Sequence, residues 1–222
     1  MEPNPCAQAR SAAEGIHLLE QALGFTREED IPGLALALSC LPDKAQAAMQ
    51  GELAEVLDQD TADVLLTAYS WRLLIPAPDS GSSMAWEEAK PDMRPSCVWK
   101  QPPIIRHLVQ AGRSTGRWQP ERILPLVLSS LPPSPETMTA FIDYVRQYAQ
   151  GCVLSANLLG AALHEAGIPA GLERLIIGFK AAGVISPKLS SLSEAVRHRS
   201  PLYEINPSVF IPWLPRSHVT KP

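Results

Sequence analysis

The clearest hydrophobic pattern in the chain lies in its C-terminal third. Apolar residues at Met138, Phe141, Ile142 and Val145 recur at intervals of three and four, which places their side chains on one face of a helix. Prolines precede this stripe and Gly151 follows it, the order typical of a helix start and a helix end. The pattern predicts an amphipathic helix.

Two further helices are predicted directly after the first. One follows Ser155, a residue type that caps helix N-termini, and ends at Gly167. The other repeats the three- and four-residue spacing over 172–179 and stops at Gly183. The C-terminal third therefore predicts three consecutive helices.

The hydrophobic period changes after Gly183. Two short β-like runs, 184–186 and 202–205, are separated by a polar stretch, which predicts a hairpin with a long loop. The predicted order is helix, helix, helix, strand, loop, strand.

Two segments in this order are distinctive: the short turn 166–169 between the second and third helices, and the passage 179–185, which runs from a helix through glycine into an apolar pair. On these segments, residues 136–210 resemble a winged helix-turn-helix domain, with no narrower family identified. The resemblance implies that the third helix enters the major groove of DNA and that the wing approaches the backbone or the minor groove.

The first half of the chain repeats this plan in outline. Helices are predicted at 31–41, 43–57 and 61–73, followed by a Ser/Gly loop and a strand at 84–86. No clear residue identity links the two halves. The predicted fold is mainly α with short β-hairpins, in a tandem winged-helix architecture. The alternative is a plain helical protein with a terminal hairpin.

Proline placement predicts the domain boundaries. The 22 prolines are about twice the usual share, and they are dense between two proline-free blocks that are predicted to be helical. Two short helices, 104–111 and 120–131, are predicted in between. The predicted ranges are an acidic N-terminal unit at 1–95, a Pro-rich basic connector at 96–133 and a C-terminal winged helix at 134–222.

Charge separates the same two halves. The whole chain has net charge −4, but residues 1–95 carry 6 Lys and Arg against 16 Asp and Glu, and residues 96–222 carry 13 against 7. A basic second half fits a polyanion or an acidic partner. No apolar run is long enough to predict a membrane span. Four scattered cysteines and an N-terminus without signal-peptide features predict a cytoplasmic protein with reduced thiols.

Catalytic motifs are incomplete. Residues 112–116 match G-x-S-x-G, yet no strand is predicted before them, as a nucleophile elbow requires. His164-Glu165 begins a zinc motif, but Ile168 occupies the place of the second histidine. We therefore predict a protein that is not an enzyme and binds no cofactor and no metal.

Candidate DNA contacts come from the third helix, the wing and the connector. Arg174 is predicted to contact guanine and Lys180 to bind phosphate, although Glu173 and Ile177 are poor neighbours for a groove-reading surface. The remaining candidates are Lys188, Arg197, His198, Arg199, Lys100, Arg106, Arg113 and Arg117. A solvated loop explains 197–199 equally well. Trp99 and Trp118, which alternate with the connector cations, suit core positions better than base stacking.

Two functions follow from these features. The first is a DNA-binding protein, a transcription regulator or a replication or partition accessory factor, that binds double-stranded DNA through the basic wing and connector. The second is an adaptor that binds a protein partner through the acidic first half or near Ile177, since the first-half third helix has an acidic or neutral outer face. A homodimer suits a regulator, although no heptad stripe supports it.

Overall fold

The chain folds mainly into helices, with two small three-stranded antiparallel sheets. The structure is a computed structural model that describes residues 5–41, 47–57, 61–77, 85–89, 91, 93–127, 133–168, 171–189 and 199–210. Contacts divide the chain into two units, Met1–Asp79 with Lys90–Gln119 and Ser80–Ala89 with Pro120–Pro222.

The first unit contains five α-helices and three strands among its described residues. Its helices are α1 Pro5–Ala22, α2 Ile31–Cys40, α3 Gln50–Leu57, α4 Thr61–Ser70 and α5 Pro103–Thr115, with a 3-10 turn at Glu28–Asp30 before α2. Its strands are β1 Ala47–Met49, β2 Ile75–Pro76 and β3 Val98–Lys100. Helix α2 packs on α3 and α4, and α1 packs on α5.

Strand β3 lies in the middle of the first sheet, between β1 and β2. Ala48 and Pro76 both face Trp99 across the antiparallel pairs, and the indole of Trp99 is fully buried. Pro76 is tolerated because β2 is an edge strand, where a missing backbone donor breaks no ladder. The side chain of Gln50 accepts from Trp99 Nε1 at 3.4 Å, so α3 is tied to this centre.

The second unit contains α6 Pro120–Val127, α7 Pro135–Tyr148, α8 Ala156–Glu165, α9 Leu172–Ala182 and a short α10 Pro207–Phe210. Its strands are β4 Val153–Ser155, β5 Ile185–Pro187 and β6 Leu202–Ile205, with β6 between the other two. Ser134 and Ser155 cap α7 and α8 by accepting hydrogen bonds from the backbone N–H groups three residues on. Gly183 ends α9 at φ 73°, a left-handed conformation that favours glycine.

Both units have the same order of elements. In each unit one helix is followed by a strand, two more helices and two more strands, and the last strand lies between the other two in the sheet. The helices of this order are α2, α3 and α4 in the first unit and α7, α8 and α9 in the second. The mainly helical fold with short antiparallel strands is therefore confirmed.

Several predicted elements differ from the structure. The helix predicted at 43–57 is wrong in its first part, because residues 47–49 pair with β3 as a strand. The strand predicted at 84–86 is also wrong at its described positions, where Trp86 lies in a turn. Helices α1 and α10 and strands β1, β3 and β4 were not predicted.

The contact-based units differ from the three predicted ranges. Residues 96–119 belong to the first unit because β3 completes its sheet and α5 packs on α1. Residues 120–133 belong to the second unit, where α6 packs on α7 and α9. The second unit also includes residues 80–89, which the sequence placed in the first range.

Candidate functional site

The exposed face of α9 carries two of the candidate DNA contacts. Leu175 and Phe179 point into the core of the second unit, where the Phe179 ring meets the edge of Phe141 with centroids 5.8 Å apart. The other side of the helix therefore faces solvent, and Arg174 and Lys180 are both exposed there. Both side chains therefore lie on the outer face of α9, away from the core of the second unit.

Arg174 and Lys180 form no ion pair with any described residue. They are separated by six positions, about 9 Å along the helix axis. Ile177 lies between them on the same face and is 64% exposed, and Glu173 is exposed beside Arg174. This face therefore combines two cations, one carboxylate and one large apolar side chain.

Lys188, the first of the wing candidates, is already neutralised. Its ammonium forms a half-buried salt bridge with Glu87, whose other carboxylate oxygen accepts from the backbone N–H of Leu189 at 2.9 Å. The neighbouring Trp86 is buried, and its backbone N–H donates to the hydroxyl of Ser186 at 2.9 Å. Residues 85–89 are thus bound to the end of β5 by these contacts. The charge of Lys188 is compensated by Glu87 and is not available to a phosphate.

Of the basic wing residues 197–199, the structure describes Arg199. Its side chain is exposed, and its backbone has φ 49°, a conformation that non-glycine residues rarely adopt. The adjacent Ser200 is buried and accepts from the backbone N–H of Asn157 at 3.1 Å. Arg197 and His198 lie outside the described residues.

The four connector candidates lie in the first unit. Lys100 is in β3, Arg106 and Arg113 are in α5, and all three are half-buried, while Arg117 is exposed after α5. The guanidinium of Arg113 lies against α1, so that a Cβ at Gly15 would be 3.5 Å from Arg113 Nε. The candidate cations are consequently divided between two units.

The two tryptophans near these cations are core residues. Trp99 is fully buried, and Trp118 is 8% exposed, with its ring 5.3 Å from that of Phe25. Phe25 also meets Trp71 edge to face at 5.1 Å. The core interpretation of both tryptophans is confirmed, and neither ring is available to stack on a base.

The incomplete catalytic motifs fall on helices. Ser114 lies in α5, where its hydroxyl donates to the carbonyl oxygens of Gln110 and Ala111 rather than lying on a turn after a strand. His164 is exposed near the end of α8, with Nδ1 3.8 Å from a Glu165 carboxylate oxygen. Across the described part of the chain, no three His, Cys, Asp or Glu side chains are grouped to hold a metal ion. None of the described helices is long and apolar enough to cross a membrane.

A groove of about 670 Å³ in the first unit was not predicted. It is enclosed by the 3-10 turn, α2, α3 and α4, and its lining residues are Arg27, Glu29, Asp30, Pro32, Gly33, Leu36, Val56, Leu57, Asp63, Val64, Leu66 and Thr67. The sequence holds only a weak signal for it, because the adjacent Leu65 and Leu66 both fit a helical core stripe. The fold buries the first completely and leaves the second 47% exposed.

Burial also changes the chemistry of two acidic groups in the structure. It raises the pKa of the Glu121 carboxyl at the start of α6, whose Oε2 accepts no hydrogen bond from a described residue; the backbone N–H and Arg122 oppose this shift. Burial likewise raises the pKa of the Cys40 thiol in α2. The described cysteines 40, 97 and 152 form no disulfide.

A protein-family model matches residues 39–212. The chain belongs to this family. No curated protein and no solved structure matches the chain.

The matched range runs from the end of α2 past α10. It includes the six described strands of the two sheets. It also includes α4 and α9, the third helices of the repeated order. Helix α1 precedes it.

Proposed function

We propose that both units are winged helices and that the protein binds double-stranded DNA through the second, as a transcription regulator or as a replication or partition accessory factor. The proposal places it in the cytoplasm, where cysteines stay reduced, in agreement with described cysteines that form no disulfide. Its structural support is the shared element order with the last strand in the middle of each sheet. In winged helices the helix in the position of α9 enters the major groove.

The observation that carries the proposal is the pair of cations on α9 that form no ion pair with a described residue. An exposed Arg174 can donate two hydrogen bonds to the O6 and N7 of guanine, and Lys180 can neutralise a phosphate. Exposed cations outside a salt bridge keep their full charge for a ligand. Arg199 adds a third exposed cation within the same unit.

Of the described candidates, we propose that these three residues contact DNA. Lys188 is paired with Glu87, and the connector cations belong to the first unit. We therefore expect Arg174, Lys180 and Arg199 to contribute more to DNA binding than Lys188.

Salt dependence of DNA binding tests the proposal. Fluorescence anisotropy with a random-sequence duplex gives the slope of log affinity against log salt, whose magnitude is about 0.9 for each phosphate that the protein neutralises. We expect Lys180→Ala to lower this magnitude by about one, and Arg174→Ala, which removes a contact to a base, to weaken binding without lowering it. Arg122→Ala, which removes an exposed cation of α6 in the same unit, should leave it unchanged.

Two results would contradict the proposal. A native protein that fails to bind the duplex at about 50 mM salt, where phosphate contacts are strong, excludes DNA binding. Equal slopes for all three variants exclude α9 as the contacting helix.

An adaptor function for the second unit is favoured by Ile177. A β-branched side chain that is 64% exposed at the centre of a helix face is suited to an apolar protein contact. Ile177→Lys distinguishes the two functions: against DNA it adds a cation and raises the magnitude of the salt slope by about one. If the surface around Ile177 is an adaptor surface, the substitution leaves the salt slope of DNA binding unchanged, because DNA does not bind there.

A further inference from the structure

The groove of the first unit exposes apolar surface on two neighbouring helices. Val56 on α3 is 42% exposed and Leu66 on α4 is 47% exposed, and both line the same groove with Leu36 of α2. Exposed apolar side chains that are grouped in a concavity mark a binding site, whereas scattered ones do not. The groove therefore has apolar side chains placed to receive an apolar ligand surface.

Carboxylates give the groove its charge. Glu29, Asp30 and Asp63 line it, and the one cation among the described lining residues is Arg27, whose guanidinium lies 3.8 Å from Glu29 with both side chains well exposed. Asp30 and Asp63 form no ion pair with any described residue. The lining is therefore negative overall, and it attracts cations and repels phosphates.

A close helix contact fixes the shape of the groove. Gly33 of α2 lies so near α4 that a Cβ there would be 2.6 Å from Val64 Cγ2. Because Val64 is β-branched, it has few rotamers by which to move away. The groove exists before a ligand binds, which lowers the cost of binding.

The backbone of the lining elements decides the form of the ligand. Those elements are helices and a 3-10 turn, so the described lining residues offer no free strand edge to which an extended peptide could add. A bound polypeptide must then satisfy its own backbone hydrogen bonds, as a helix does.

We propose that this groove binds an amphipathic helical segment of a partner protein, with apolar residues at three- and four-residue intervals and Lys or Arg beside them. The apolar stripe of such a helix contacts Val56 and Leu66, and its cations face Asp30 and Asp63. This interaction goes beyond the proposed DNA binding and does not depend on it.

Synthetic helices serve as probes for the full chain. The first is a fluorescent peptide of about 14 residues, four helical turns, with Leu at the stripe positions and Lys elsewhere; its twin carries Glu in place of each Lys. Anisotropy titrations should show the Lys peptide binding at least about tenfold more tightly than the Glu peptide, because only the first complements the carboxylates.

Matched variants locate the binding site. We expect Leu66→Ser and Val56→Ser each to weaken binding of the Lys peptide about tenfold, whereas Met49→Ser should have no effect. Met49 is also 47% exposed in the first unit but does not line the groove. Asp30→Asn with Asp63→Asn should weaken binding and its salt dependence. Thermal melting by circular dichroism establishes that each variant is folded.

Three outcomes would overturn the proposal. The Lys peptide does not bind, the Glu peptide binds equally well, or Met49→Ser weakens binding as much as Leu66→Ser. Sedimentation equilibrium provides a fourth: a native dimer that Leu66→Ser converts to a monomer would assign the groove to a second copy of this chain.

Discussion

Helices α4 and α9 hold the same place in their units but differ in their outer faces. Each is the third helix of the repeated order, and the strand that follows it pairs with the last strand of its sheet. The exposed side of α4 carries Asp63 and Leu66, whereas that of α9 carries Arg174, Ile177 and Lys180. The shared element order constrains the buried side of each helix, and the outer side is free to acquire opposite charge.

The comparison extends to what each helix packs against. Counted from its first residue, α4 has Ala68 where α9 has Phe179, and both are fully buried. The centre of the first unit contains Trp99 from β3, and that of the second contains the Phe141 and Phe179 pair from its helices. The same order of elements is therefore filled by different aromatic groups.

The largest effect is expected from Phe179→Ala, which tests whether the units unfold separately. Removing a fully buried aromatic ring and its edge contact with Phe141 should cost about 3–5 kcal/mol. Urea unfolding followed by hydrogen exchange should show reduced protection in amides of α7 and α9 and not in those of α2 and α4. Ile177→Ala, on the exposed side of the same helix, is the control. Equally reduced protection in both sets of amides would break the comparison, because it would mean that the two cores unfold together.

Two glycines are expected to respond with opposite sign. Gly33→Ala forces a Cβ to within 2.6 Å of Val64 Cγ2 and should cost about 1–3 kcal/mol through overpacking. Gly160→Ala in α8 places a Cβ at an ordinary 3.5 Å from Leu172 Cδ2 and should stabilise by up to about 1 kcal/mol, because alanine is the better helix former. Thermal denaturation measures both. If Gly33→Ala is neutral, the close contact of α2 and α4 does not fix the groove.

The smallest expected effect is on the pH dependence of the free energy of unfolding, and it comes from Glu121 in the second unit. Because burial raises the pKa of Glu121 in the folded protein, the folded chain retains this proton to higher pH than the unfolded chain. The free energy of unfolding then falls as pH rises from the unfolded pKa, near 4.5, through the folded one. Glu121→Gln should remove this part of the decline in urea titrations across that range. Glu14→Gln, at an exposed position of α1, should leave it intact, and an unchanged slope for Glu121→Gln would contradict the burial effect.

Local chemistry made some elements predictable. The Ser155 cap is confirmed by the hydrogen bond that its hydroxyl accepts from the Leu158 N–H at 3.3 Å, and Gly183 ends α9 as expected. These features depend on residues a few positions apart, so the sequence alone specifies them. The stripe from Met138 to Val145 is buried for the same reason.

Pairing between distant segments was not predictable. Ala47, Ala48 and Met49 have no strand preference, yet they form β1 because β3 supplies partners some fifty residues later. Likewise, the contact of Glu87 with Lys188 joins residues about a hundred positions apart. No local pattern could have indicated that this candidate cation is neutralised.

The sequence by itself determined helices α6 to α9 of the second unit, the acidic and basic halves and the cations on the outer face of α9. Periodicity and charge are properties of neighbouring residues, so they can be found without a fold. Only the tertiary structure decided that Lys188 is paired and that Leu66 lines an acidic groove while Leu65 is in the core. Those outcomes depend on which distant segments meet, because burial and ion pairing are set by the packing of the whole unit.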